Sequence, residues 1–156
     1  MIETISEYKQ TPIGKIPADW EMKKLGDISL GKGVYGINAS AVDYKENLPK
    51  YLRITDIDDE GCFSTDKLSS VDDKNSKDFY LKNGDLIFVR TGSTTGKSYL
   101  YNNKDGLLVY AGFLIKFSID NKKANDYYIW NYTKTTMYYD WVKKFSQRSG
   151  QPGLNS

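Results

Sequence analysis

The sequence predicts a single α+β domain with one long helix near its C-terminus. Two observations carry this. Short apolar segments recur between Trp20 and Ile119 and read as strands. From Tyr127 to Phe145 there is then no Gly or Pro, and Trp130, Thr133, Met137 and Trp141 recur at helical spacing. With 156 residues the chain is long enough for one domain with a proper core.

In chain order, residues 1–18 carry Pro12 and Pro17 without periodicity and read as an irregular lead-in. Trp20–Leu25 alternates apolar and polar residues, as a strand does, and Gly26-Asp27 closes it. Gly31–Gly36 is a flexible, basic, glycine-rich loop. Tyr51–Ile54 is a strand that ends in the acidic turn Asp56–Gly61. That turn lacks the ligand alternation and the closing glutamate of a calcium loop. Residues 64–83 are polar, with a short helical turn around Asp73–Phe79. Leu86–Val89 is the most apolar strand and is expected at the centre of the sheet. Ser98–Asn103 reads as a strand with a hairpin turn, and Leu107–Tyr110 and Phe113–Ile119 as further strands. Asp126 is placed to cap the helix, whose Trp/Met stripe is expected in the core. Lys143, Lys144 and Arg148 fall at its C-terminal end, where they suit either the helix dipole or contact with DNA. Gly150–Gly153 then breaks the helix, and no internal repeat is found.

Composition removes whole classes of function. The chain has no histidine, which excludes Ser-His-Asp triads and the usual zinc ligands. The lone Cys62 excludes an internal disulfide and a cysteine metal cluster, and fits a reducing compartment such as the cytoplasm. The N-terminus lacks the basic and apolar regions of a signal peptide, and no apolar run approaches a membrane span. There is no Asn-Pro-Pro-aromatic or Asp-Pro-Pro-aromatic motif of an amino-methyltransferase and no Gly-x-Gly-x-x-Gly, so no cofactor is expected. The net charge of +2 conceals an asymmetry. Residues 54–85 hold four Lys/Arg against nine Asp/Glu, whereas residues 86–156 hold ten against four. A basic half permits nucleic-acid contact on one face, and solvated surface charge is the plain alternative.

The positive excess begins inside Gly84–Ser98, an apolar strand that delivers Arg90 into a loop of glycines and hydroxyls. Such a loop suits phosphates, of a nucleotide or of a nucleic acid. A P-loop needs four residues between Gly and Gly-Lys-Ser/Thr, and only Ser93-Thr94-Thr95 stand between Gly92 and Gly96-Lys97-Ser98. The strand-like residues that follow replace the required helix. A glycine-rich hairpin loop without a function is the other reading.

Several segments together carry a family resemblance. They are Thr11–Pro17 with Trp20 and Leu25–Ile28, Tyr51–Ile57 before Gly61, Gly84–Ser93 with Gly96, and the long helix followed by Ser149–Ser156. In this order they resemble a target recognition domain from the DNA-specificity subunit of Type I restriction–modification systems. The resemblance implies a twisted, mostly antiparallel sheet with one long helix, over residues 19–148. It implies that residues 149–156 begin a connection to a spacer helix, so that the chain looks like half of a subunit. It implies double-stranded DNA as ligand, with modification (methyltransferase) and restriction subunits as partners that carry the catalysis. For phosphate contacts the candidates are Lys32, Lys97 and the amides near Gly92 and Gly96. For base readout they are Tyr35, Arg53, Arg90, Thr91, Ser93 and Thr94, with Thr95 in the same loop; arginine suits guanine, and hydroxyls donate or accept. Arg53 and Arg90 have a structural alternative, ion pairs with Asp56 and Asp85. Gln151 and Asn155 are weaker candidates, as linker contacts. Two other classes remain in view: a protein-interaction module or DNA-mimicking inhibitor, supported by the acidic run, and a nuclease using Asp85 and Lys97.

Overall fold

The computed structural model describes residues 7–147, 150 and 153–155. Arg148 and Gln151 lie outside them. The strands, numbered in chain order, are β1 (Tyr8–Thr11), β2 (Gly14–Pro17), β3 (Val34–Tyr35), β4 (Ala41–Asp43), β5 (Lys50–Leu52), β6 (Ser69–Val71), β7 (Asp85–Val89), β8 (Ser98–Leu100), β9 (Leu108–Tyr110) and β10 (Leu114–Ser118). Two helices follow, α1 (Asp126–Tyr132) and α2 (Thr136–Ser146). The α+β class and the predominance of antiparallel pairing hold.

The strands form two four-stranded sheets and a separate hairpin. One sheet has the order β3-β10-β7-β8 and is antiparallel throughout. The other has the order β4-β6-β5-β9 and contains one parallel pair, β5 with β9. β7 lies inside its sheet, with all five residues buried, as its apolar sequence predicts. A strand buried on both faces reads as a continuous apolar run because each face meets its own core. Ile87 and Val89 join Leu52, Leu81, Leu108, Tyr110 and Leu114 in one cluster. Leu86 and Phe88 pack on the opposite side, with Ile119 and with Tyr138 and Val142 of α2. Burying each such side chain contributes roughly 1.5–3 kcal/mol.

Five expectations are corrected. The lead-in is not irregular: β1 and β2 pair as a hairpin, Tyr8 opposite Pro17. Pro12 sits in its turn and Pro17 at a strand end, where a missing N–H costs the ladder little. Trp20–Leu25 forms no strand; Trp20 and Met22 stay exposed, so the alternation is never converted into pairing, and Leu25 opens a 3₁₀ turn instead. The predicted single helix is two. Thr135 interrupts it, its hydroxyl bonding the Tyr132 carbonyl at 2.8 Å while accepting from the Tyr138 N–H at 3.2 Å. Threonine hydroxyls compete in this way with helical hydrogen bonds. The cap of α1 is Asn125 rather than Asp126. Finally, only the first half of the expected stripe faces the core, where Trp130 packs against the buried cluster and Thr133 is buried. Met137 and Trp141 are about two-fifths exposed, and α2 buries Tyr138, Val142 and Ser146.

Candidate nucleic-acid interface

Arg90 directly follows β7, and its backbone is held from both sides. Its N–H donates to the Phe113 carbonyl at 3.1 Å, and its carbonyl accepts from the Leu154 N–H at 2.7 Å. The chain terminus thus returns to the strand end, where Thr91 also bridges Gly153. By strand alternation Arg90 shares the side of Leu86 and Phe88. Its guanidinium lies over the Tyr35 ring, 4.3 Å from the centroid. Tyr35 stands opposite Ile115, and Ile115 opposite Phe88, so the stack spans three adjacent strands. Gly36 permits the close approach that sets β3 there, since a Cβ would sit 2.2 Å from the Ala111 carbonyl oxygen.

The anticipated Arg90–Asp85 pair does not form. Asp85 is 3% exposed and is satisfied within the fold, by the Lys82 N–H at 2.9 Å, the Ser118 hydroxyl, and Lys116 at 3.5 Å. Arg90 has no carboxylate partner among the described residues, and its buried Nε has no hydrogen-bond partner. Arg53 behaves in the opposite way. Its Nε and an Nη each bond the Asp56 carboxylate at 2.8 Å, and that Nη also donates to the Lys67 carbonyl at 3.2 Å. The same carboxylate accepts from the Arg53 backbone N–H, which closes the 3₁₀ turn Ile54–Asp56. The Asp56 bond raises the Arg53 pKa further.

The Gly92–Gly96 loop is not a free hairpin tip. It folds onto α2: the Tyr138 hydroxyl donates to the Gly96 carbonyl at 2.7 Å, and a Cβ on Gly96 would meet Val142 Cγ1 at 2.7 Å. The Thr95 hydroxyl turns inward to the Gly92 carbonyl at 2.6 Å. Ser93 remains exposed and Thr94 partly so. Loop and helix enclose a groove of about 380 Å³ lined by Asp59, Ser93, Thr94, Lys97, Tyr139 and Lys143. Lys97 is committed there to Asp59, 2.9 Å away, and to the Ile57 carbonyl. Lys32 is exposed, three residues before Tyr35. The structure therefore gathers Tyr35, Arg90 and Thr91 at one strand end, with the loop beside them, and takes Arg53 and Lys97 into ion pairs. Sequence reasoning named Lys143 for the helix dipole or for DNA contact, and it missed Phe113 and Tyr139 as neighbours of this region. Only Phe113 had a legible signal, an aromatic residue directly after Gly112.

Among the described residues no group of three or more His, Cys, Asp or Glu could hold a metal ion. No helix among them is long and apolar enough to cross a membrane. The buried Asp85 offers no open carboxylate for hydrolysis.

A cation stacked at a rigid strand end, beside hydroxyls and glycines, defines a domain suited to nucleic-acid contact. The chain belongs to the family of the Type I restriction modification DNA specificity domain, whose model matches residues 17–156. It is also 32% identical, over 127 residues, to the protein named "Putative type I restriction enzyme MjaX specificity subunit" from Methanocaldococcus jannaschii. The match covers 78% of this chain and 29% of that relative, so the chain spans under a third of its relative's length.

Proposed function

We propose that this chain reads the sequence of double-stranded DNA as one of the recognition halves of a Type I specificity subunit. In this reading it is non-catalytic and needs no cofactor. It directs adenine methylation and restriction that separate modification and restriction subunits perform in the cytoplasm. Family membership supports the class, and one structural observation carries the site. Arg90 is a guanidinium stacked on Tyr35 at 4.3 Å, with a buried unsatisfied Nε and no acidic partner among the described residues. A partly buried cation kept unpaired is costly unless a ligand completes it, and a guanidinium fork matches guanine O6 and N7 in the major groove. Stacking on Tyr35 presets the plane of that fork. Thr91, Ser93 and Thr94 follow as hydroxyls for neighbouring base edges or phosphates, and Lys32 as an exposed cation for the backbone.

The test is selection of bound duplexes from a randomised pool by the purified chain at low salt. Arg90→Ala is expected to lose preference at one base pair, worth about 1–3 kcal/mol. An unchanged selected sequence would remove Arg90 from readout.

A further inference from the structure

We propose that Phe113 is a specificity-determining residue that contacts the 5-methyl group of a thymine in the base pair next to the one read by Arg90. The inference rests on the DNA-reading role proposed above. The Leu114 N–H bonds the Ala111 carbonyl at 2.9 Å, which makes Ala111–Leu114 a β-turn with Phe113 at its tip. Ala111 and Leu114 on either side are buried, whereas Phe113 is 63% exposed and is the most exposed phenylalanine among the described residues. Tips of tight turns ordinarily carry Gly, Asn, Asp or Ser, and Phe113 joins none of the buried clusters among the described residues, so its ring is open to a ligand. The turn is anchored to the reading arginine itself, since the Phe113 carbonyl accepts the Arg90 N–H at 3.1 Å. Hydrogen-bonded neighbouring segments lie about 4.8 Å apart, and successive base pairs rise by about 3.4 Å. Side chains from the two segments therefore reach adjacent steps of one groove. A phenyl ring has no donor or acceptor, and the distinctive apolar feature of the major groove is the thymine methyl.

Duplex selection with the wild-type chain is expected to return a guanine beside a thymine. Phe113→Ala keeps the guanine and loses the thymine, with an unchanged melting temperature because the side chain is exposed. Replacing that thymine by deoxyuridine, which deletes only the methyl, weakens wild-type binding about fourfold, the worth of one buried methyl group. It leaves Phe113→Ala unaffected. The proposal is overturned if no thymine adjoins the guanine, if Phe113→Ala selects the same sequence as wild type, or if deoxyuridine binds wild type equally well. An insertion of the ring between bases would show that last result. If the wild-type chain enriches no sequence, the DNA-reading role falls and this proposal with it. If Arg90→Ala alters the selection and Phe113→Ala does not, only this proposal falls.

Discussion

Arg53 and Arg90 both leave buried strands, yet one is a structural clasp and the other has no carboxylate partner among the described residues. The difference lies in local spacing and in competition for carboxylates. Asp56 follows Arg53 by three residues, and the intervening 3₁₀ turn brings the carboxylate onto both the backbone and the guanidinium of Arg53. Asp85 precedes Arg90 by five residues on a straight strand, so it emerges at the far end, where Lys82, Ser118 and Lys116 satisfy it. Arg53→Ala is therefore expected to destabilise the fold by about 1–3 kcal/mol, by leaving the buried Asp56 carboxylate unpaired. It should leave the selected DNA sequence intact; thermal melting and duplex selection read the two effects separately. Arg90→Lys should retain general affinity for DNA while losing guanine preference, because an ammonium is a point charge without the planar fork.

At the scale of elements, the glycine-rich loop depends on α2. Gly96 has φ +91°, a conformation that L side chains rarely adopt, and Val142 closes the space where a Cβ would go. Gly96→Ala is thus expected to lower stability by about 1–3 kcal/mol, through left-handed strain and overpacking together. In a chain of this size each kcal/mol lowers the melting temperature by roughly 2–4 °C, so calorimetry resolves it. Thr135 begins α2 as its N-cap, and Thr135→Ala should cost about 1 kcal/mol. Because Tyr138 of the same first turn holds the Gly96 carbonyl, that loss should also raise amide hydrogen exchange at Gly92–Lys97. Exchange unchanged in the loop would show that the loop keeps its shape without the helix.

Across the whole molecule, the charge asymmetry takes on a physical sense. Part of the acidic run is used internally, since Asp56 clasps Arg53 and Asp85 is buried, whereas Asp58, Asp59, Glu60, Asp66, Asp72 and Asp78 stay exposed. Basic residues are spread over the half that also presents Arg90, among them Lys143 and Lys144 in the last turn of α2. Binding to duplex DNA is expected to weaken linearly in log–log form with salt. Reversing Lys143 and Lys144 to Glu should reduce that slope without changing the selected sequence, as phosphate contacts carry no sequence information. A slope unaltered in fluorescence titrations would leave both lysines to the helix dipole alone.

The sequence alone determined the α+β class, the central place of β7 and the segments that carry the family. Each follows from a local signal: a run of apolar residues, turn glycines, motif order. Tertiary structure alone decided which arginine clasps a carboxylate, that the loop rests on α2, and that Gly153–Leu154 returns to Arg90. It also decided that Tyr138 and Val142, rather than Met137 and Trp141, face the core. Those outcomes depend on which groups meet across long sequence separations. Spacing along the chain does not encode that competition for partners.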